Sequence, residues 1–319
     1  MSGVIKTVKL SFPVCVTIIY VPLMLFGLLG NILTILVVWL RPHMRSSTYL
    51  YLSSMAISDL LILLLLPLDL YKLWRPRPWP LGDLACKLTM FLSECCTFCT
   101  ILHITFLSLE RYVAVCWPIT AKTLVTRRRT RAIIGCLWLG AAVSAAPVLL
   151  MVGVEDIGGD ECRCTQYAIS SGLLSAMMIL SNLYFLVPLS ILGLVYSLIG
   201  RTLWLRPKSS RKEQGHRNTV KMLGVIVLAF VLCWLPFHVG RTIFSLSLGS
   251  VGDRQESNQN YFNLVSSVLF YLSAAINPLL YNLMSARYRL AVRSLVRGPS
   301  QTQAQHLRTL TVRQSTTAV

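Results

Sequence analysis

Residues Leu84–Val115 read LACKLTMFLSECCTFCTILHITFLSLERYVAV. The stretch is apolar and longer than the roughly 20 residues that an α-helix needs to cross a bilayer. Two acids interrupt it: Glu94 stands alone in the first half, and Glu110 is followed at once by Arg111 and Tyr112. An ionisable group inside a span is costly, so it faces a bundle interior or a wet cavity and finds a partner there. Glu94 and Arg111 are 17 positions apart, which is about 26 Å along one helix at ~1.5 Å per residue. With Arg111 at one mouth of a bundle, Glu94 stands near the other. The rest of the chain has to supply partners for both.

The chain as a whole has the same character. Of its 319 residues, 55% are hydrophobic and only 13% charged, where a soluble domain carries about a quarter charged residues; mean hydropathy is +0.63. Apolar runs cover Phe12–Trp39, Thr48–Trp74, Leu84–Val115, Ala132–Val152, Ser171–Leu203, Val220–Phe244 and Phe262–Tyr281. The loops between them are short, and the halves show no internal repeat of the kind that builds many transporters. The sequence therefore predicts an all-α membrane protein, a seven-transmembrane-helix bundle.

The net charge of +18 invites a nucleic-acid reading. The placement of the charge argues against one. Of the 30 Lys and Arg, 21 fall in the loops 39–48, 115–132 and 203–220, at their edges, or after Tyr281. That side is cytoplasmic by the positive-inside rule, and an odd number of spans puts the N-terminus outside. The basic residues hug membrane ends rather than one soluble face. No nucleic-acid partner is expected, and the expected location is the plasma membrane, with multiple passes.

The expected organisation is an extracellular N-terminus at 1–11, a receptor-like bundle at 12–284, an amphipathic helix at 285–297 and a disordered tail at 298–319. The first apolar run is long and lacks a cleavage pattern, so it reads as a retained signal anchor. In SARYRLAVRSLVR, residues 285–297, Tyr288, Ala291, Val292, Leu295 and Val296 recur at helical spacing among Arg287, Arg289, Arg293 and Arg297. Too short to span, this segment lies in the cytoplasmic interface, arginines on anionic headgroups. No Cys follows Cys233, so palmitate cannot anchor it.

Most runs carry an out-of-place polar or proline residue: Gly30-Asn31, Asp59, Glu110-Arg111-Tyr112, Trp138, Pro188 and Tyr196, then FVLCWLPFHVGR at 230–241 and NPLLY at 277–281. Buried polar groups must pair, and a proline frees a backbone carbonyl that a neighbour must satisfy. A polar thread through the bundle centre follows. Trp234, Phe237 and Arg241 share one face of the sixth helix, and Pro236 loosens that helix. Arg241 stays charged. Either it takes an anion, with Asp69 and Glu94 the best-placed acids, or it snorkels upward. A lone carboxylate at Asp59 either protonates or takes a cation, with Asn31, Thr100, Ser273 and Asn277 in reach of it.

This set of motifs, in this order, resembles the rhodopsin-like seven-helix G-protein-coupled receptors over all of the chain but its tail. YLYLSSMAISDLL, LPLDLYKLW, RPWPLGDLACKL, YSLIGRTLW, LCWLPFHVGR and LVSSVLFYLSAAINPLLYN are similar to the ghrelin- and motilin-receptor branch, and a short second extracellular loop favours its ghrelin side.

The resemblance implies a peptide ligand of the acylated-ghrelin type, with motilin or a related neuropeptide as the alternative, and a heterotrimeric G protein of the Gq class. It implies ligand contacts at Asp69, Glu94, Phe237, Arg241 and Phe244, with a Glu94–Arg241 pair dividing the pocket: a polar compartment lined by Asp69 and an apolar one for a lipid chain or an aromatic group. Activation would pass through Phe230, Trp234, Pro236, Tyr196, Asn277 and Tyr281. Glu110, Arg111 and Tyr112 would couple to the G protein, Glu110 first restraining Arg111 by a local ion pair. Neither His216 nor Val220 is itself an acid that could supply a second restraint, so ligand-independent signalling is expected. A sodium ion at Asp59, Thr100, Ser273 and Asn277 is the implied allosteric ion; no other cofactor is expected. Arrestin is an implied partner.

The ten cysteines sit mostly inside spans, where they pack as small apolar residues. Cys86, Cys162 and Cys164 lie at the oxidising face, and the resemblance pairs Cys86 with Cys162, leaving Cys164 spare. Glu155, Asp156, Asp160 and Glu161 make an acidic rim that would steer a basic peptide inward. Thr317-Ala318-Val319 fits a PDZ ligand. HExxH, Walker A and GxSxG motifs are absent, so no enzyme is expected; a channel or transporter is the remote alternative. The seventh run holds no Lys, which removes a retinal Schiff base.

Overall fold

The computed structural model describes residues 2–75, 77–156, 158–205, 211–247 and 253–296, with side chains throughout except at 2–12, 43, 211–213, 215–216, 218–219, 222–223, 244–247, 253–264, 284 and 296. The tail at 298–319, with its PDZ-like terminus, lies outside the described residues, as does the side chain of His216. In chain order the elements are α1 (Ser2–Leu40), a 3-10 turn (Pro42–Met44), α2 (Ser47–Trp74), α3 (Gly82–Cys116), α4 (Pro118–Leu124), α5 (Arg127–Ala145), α6 (Val148–Met151), β1 (Val152–Asp156), β2 (Asp160–Cys164), α7 (Gln166–Ser170), α8 (Leu173–Leu205), α9 (Arg211–Ser247), α10 (Asp253–Met284) and α11 (Ala286–Val296).

Among the described residues, α1, α2, α3, the α5–α6 stretch, α8 and α9 are long and apolar enough to cross a membrane. The seventh span, in α10, meets the same measure together with α11, from which it is bent by 96°. That bend separates a spanning helix from an amphipathic one. Seven spans make the bundle, and its outward faces are apolar: Ile18, Leu29, Leu139, Leu150, Leu194 and Leu232 are all exposed. In water such a surface would aggregate; in hydrocarbon it is the solvated face.

The interior has the opposite order. Tyr51, Phe98, Phe185, Trp234 and Tyr281 are fully buried. Helix α3 is the hub, packing on α2, α5 and α8 and touching α9 and the hairpin. α1 comes very close to its neighbours. A Cβ on Gly27 would stand 2.6 Å from Leu63 and 2.9 Å from Ala275, and one on Gly30 would stand 2.8 Å from Pro278. Only glycine permits that approach to α2 and α10.

Two local features depart from the expected runs. The fourth run, expected as one span over Ala132–Val152, begins earlier, with Thr126 capping the Arg129 N–H, and breaks at Ala146-Pro147. Proline removes a backbone donor and restricts the residue before it. From Val152 the chain is a strand, pairing antiparallel in the register Val152↔Cys164, Val154↔Cys162 and Asp156↔Asp160. Gly158 and Gly159 turn the hairpin at φ 71° and 129°, a left-handed turn that glycine adopts without strain.

Candidate functional site

At the hairpin end of the bundle, Arg241 of α9 reaches Glu94 of α3. Its Nη1 donates to Glu94 Oε2 at 2.6 Å. Glu94 is buried, and its other oxygen, Oε1, has no partner among the described residues. The guanidinium also lies over the Phe237 ring, 5.4 Å from its centroid, where a cation is attracted to the π face. Asp69 stays apart from this pair. It is solvent-accessible, and Tyr271 of α10 donates its hydroxyl to Asp69 Oδ2. The two acids therefore occupy different places, one matched to an arginine and one to a tyrosine. Phe244 has its side chain outside the described residues.

An aromatic cluster joins these acids to the middle of the bundle. Phe237 stacks on Phe270 at 5.1 Å, and Phe270 meets Trp234 edge-on at 5.3 Å and Tyr271 at 5.2 Å. Trp234 contacts Phe237 at 5.9 Å and Phe230 at 5.7 Å, and Phe230 contacts Phe185 at 5.9 Å. Pro236 sits inside α9 within this cluster, and its carbonyl accepts from Ser266 of α10 at 3.2 Å. His238, buried and stacked on Phe185 at 4.6 Å, belongs here too. A polar residue in the FHVGR motif was the available signal for His238. Tyr271 gave none, because a tyrosine in an apolar run reads as packing.

Below Trp234 the polar thread continues. Asn277 Nδ2 donates to Asp59 Oδ2 at 2.9 Å, and Asp59 is 1% exposed. Thr100 bonds Ser58 at 2.9 Å, Ser273 donates to the Phe270 carbonyl at 2.6 Å, and Asn31 donates to the Ala274 carbonyl at 3.0 Å. Thr100, Ser273 and Asn277 line a cavity of about 10 Å³ with Phe230 and Trp234, room for roughly one water-sized occupant. Its polar lining is hydroxyl and amide, and the Asp59 carboxylate stands behind Asn277, outside the lining itself. That is the ligand chemistry of a hard cation, so the residues fit a sodium ion.

At the other end, one expectation is corrected. Glu110 and Arg111 form no ion pair. Glu110 is instead held by Ser47 Oγ, by Tyr51 OH at 3.0 Å and by Thr130 Oγ1 at 3.3 Å. Neighbours in a helix point in different directions, and Glu110 turns to hydroxyls on α2 and α5. Arg111 Nε is buried without a hydrogen-bond partner. Tyr196 of α8 contacts Ser108 at 3.4 Å, and the Tyr281 hydroxyl is also without a partner. Tyr112 packs on the cluster of Val115, Val195, Ile199 and Leu203. Sequence reading did not single out Ser47, Tyr51 or Thr130, which carry no signal until three helices are brought together.

The hairpin is pinned over the cleft. Cys86 of α3 and Cys162 of β2 form a disulfide with sulfurs 2.05 Å apart. Asp83 Oδ1 accepts from the Val154 N–H at 3.0 Å, and the Asp160 carbonyl accepts from the Trp79 N–H at 2.7 Å. The acidic rim is partly neutralised: Glu161 pairs with Arg77 at 2.6 Å, and Glu155 lies 3.8 Å from Arg163. Cys164 is a free, half-buried thiol facing Val152 across the ladder. Burial pushes its pKa up, against the pull of Arg163.

Residues 30–281 match the 7 transmembrane receptor (rhodopsin family) domain. The chain is 53% identical over 295 residues to growth hormone secretagogue receptor type 1 of Sus scrofa, covering 88% of this chain and 80% of that one. The Homo sapiens form is 52% identical over 291 residues, 87% and 79% covered. The motilin receptor of Homo sapiens is 42% identical over 335 residues, 88% and 80% covered.

Proposed function

Because this chain belongs to the rhodopsin-family seven-transmembrane receptors, we propose that it is a plasma-membrane receptor for an acylated, ghrelin-type peptide hormone, with its N-terminus and hairpin outside and Arg111 at the cytoplasmic mouth. The family is one of receptors, not of enzymes.

The observation that carries the ligand reading is the Glu94–Arg241 pair at 2.6 Å. The guanidinium lies over Phe237, which stacks on Phe270 beside Trp234, and the accessible carboxylate of Asp69 reaches the same rings through Tyr271. A peptide with a polar, cationic end and an acyl chain presents both chemistries at once. Binding energy from the two ends converges on Trp234. Movement there is relayed by α9, which Pro236 weakens, to the mouth where Arg111, Tyr196 and Tyr281 receive the G protein. The Gq class is the proposed transducer. Arrestin is a further proposed partner, and the C-terminal Thr317-Ala318-Val319 is a proposed PDZ ligand. A sodium ion bound at Asp59, Thr100, Ser273 and Asn277 would hold the bundle closed around its middle.

Calcium release in transfected cells tests the reading. Acylated ghrelin should give a response, and unacylated ghrelin and motilin much weaker ones. Silence to acylated ghrelin at micromolar dose, with surface expression shown, overturns it. A response to motilin alone moves the assignment to the motilin side.

A further inference from the structure

At the hairpin end of α2, Pro67, Leu70, Tyr71, Trp74 and Arg75 recur at i, i+3, i+4, i+7 and i+8, so they share one side of the helix. Pro67, Trp74 and Arg75 are exposed. Together the five line an open groove of about 380 Å³, within the roughly 300–1,000 Å³ of small-molecule sites. Asp69 and Lys72 lie off this side. Asp69 takes the Tyr271 hydroxyl of α10, and Lys72 stands beside Asp69 and over the Trp79 ring. The groove is therefore separate from the cleft that holds Glu94 and Arg241.

Its walls are held in place, and a charge stands at its mouth. Trp74 Nε1 donates to Thr17 Oγ1 of α1 at 2.9 Å, and Tyr71 meets Trp79 edge-on at 6.5 Å. Arg75 follows the last residue of α2, and its N–H donates to the Tyr71 carbonyl at 2.8 Å. Its guanidinium makes no hydrogen bond or ion pair among the described residues. Its basic neighbours are engaged: Arg77 with Glu161, Lys87 with Asp83, Arg163 with Glu155 and Arg241 with Glu94. Helix α2 has 28 residues, about 42 Å at ~1.5 Å each, against a hydrocarbon core of about 30 Å. Trp74 and Arg75 thus reach the headgroup layer, where tryptophan is at home.

A guanidinium at headgroup depth beside an apolar groove matches a molecule with an anionic head and a hydrocarbon chain. The arginine fork fits two phosphate oxygens at once, whereas a sterol hydroxyl brings no charge to it. We propose that this side of α2 binds one phospholipid of the leaflet at the hairpin end, its phosphodiester on Arg75 and one acyl chain along Pro67, Leu70, Tyr71 and Trp74. The site has a consequence for the hairpin. Tyr71 touches Trp79, whose N–H donates to the Asp160 carbonyl at 2.7 Å and whose Nε1 donates to the Gly82 carbonyl at 2.9 Å. A lipid packed on Tyr71 braces from behind the residue that supports the hairpin. The inference stands whichever peptide the cleft takes.

The test places the purified full chain in phosphatidylcholine nanodiscs that contain a phosphatidylcholine with a diazirine on its acyl chain, and maps the photo-crosslinks by peptide mass spectrometry. Residues 67–75 should be labelled several-fold more than residues 183–194 of α8, whose Leu183, Leu186, Val187 and Leu194 are just as open to lipid. Arg75→Gln should lower labelling at 67–75 about tenfold, the loss of one charge-assisted pair, and leave α8 unchanged; Arg75→Lys, which keeps the charge, should retain most of it. A diacylglycerol with the same diazirine chain and no phosphate should label the two stretches of the wild type equally, a readout that needs no variant. Added phosphatidylcholine should raise the thermal midpoint of the detergent-solubilised wild type more than that of Arg75→Gln. Equal phosphatidylcholine labelling of the two stretches, or labelling at 67–75 that Arg75→Gln leaves intact, means ordinary annular contact and overturns the inference. Preferential labelling of 67–75 by a sterol diazirine, unchanged in Arg75→Gln, gives the groove to a sterol and overturns it as well.

Discussion

Arg241 donates to one oxygen of Glu94 at 2.6 Å and leaves the other oxygen buried and without a partner. A carboxylate half satisfied in a low-dielectric place is costly, and it persists where something else is to be bound. The pair joins α3 to α9, the helix that contains Pro236, so in the proposed function it stands where the ligand meets the moving part.

The ring beneath the arginine contributes to that placement. Phe237→Ala removes both the face under Arg241 and the stack on Phe270. Losing such contacts is worth about 1–2 kcal/mol beyond simple burial. Peptide potency should fall tenfold or more in a concentration–response assay, with surface expression close to that of the wild type. Unchanged potency would place Phe237 outside the binding path.

The other end of α3 bears on basal signalling. Glu110 is held by Ser47, Tyr51 and Thr130 and makes no direct ion pair with Arg111, which it reaches only at longer range. Inositol phosphate accumulation without ligand should therefore exceed that of mock-transfected cells at matched expression. Ser47→Ala with Tyr51→Phe removes two competing donors, each worth about 0.5–1.5 kcal/mol. Glu110 is then free to turn to Arg111, and basal accumulation should drop several-fold. A rise would contradict this account of the restraint.

The closeness of α1 to its neighbours has a stability consequence. Gly27→Ala places a methyl 2.6 Å from Leu63 and 2.9 Å from Ala275. Overpacking of this kind costs about 1–3 kcal/mol. The thermal midpoint of the detergent-solubilised receptor should fall, whereas Gly135→Ala, with open space around its Cβ, should leave it near the wild-type value.

The cysteines at the hairpin separate cleanly. Cys162→Ser removes the bond to Cys86, and loss of a native disulfide costs about 2–5 kcal/mol, so surface receptor should decline. Cys164→Ser should be tolerated. Because burial raises the Cys164 pKa, its thiolate is scarcer at neutral pH than that of a free cysteine. Labelling by a maleimide should be slow at pH 7 and climb as the pH rises towards and past the ordinary thiol value. Fast labelling at neutral pH would contradict that environment.

Much of this was legible in the sequence because lipid is an unforgiving solvent. Seven apolar runs have one economical arrangement, and a charge such as Arg241 in the sixth has few possible partners. Spacing alone, however, offered both Asp69 and Glu94; the fold assigns the arginine to Glu94 and a tyrosine to Asp69. Adjacency misled at Glu110-Arg111, because consecutive helical residues diverge and the partners of Glu110 come from other helices. The hairpin was hidden for a different reason. Its signal, Gly158-Gly159 between the alternating Val152, Val154, Cys162 and Cys164, is short, and the acidic residues around it read as loop.

The most direct measurement is a charge reversal across the cleft, read as the calcium response to acylated ghrelin at equal surface levels. Glu94→Arg and Arg241→Glu each leave a like-charge, unpaired buried group, a loss of about 3–5 kcal/mol for a broken buried pair, so each single variant should lose a hundredfold or more in potency. The double variant Glu94→Arg/Arg241→Glu restores an opposite-charge pair between the same helices and should recover part of that response. A double variant as inactive as the worse single one would contradict a direct Glu94–Arg241 pair as the divider of the ligand cleft.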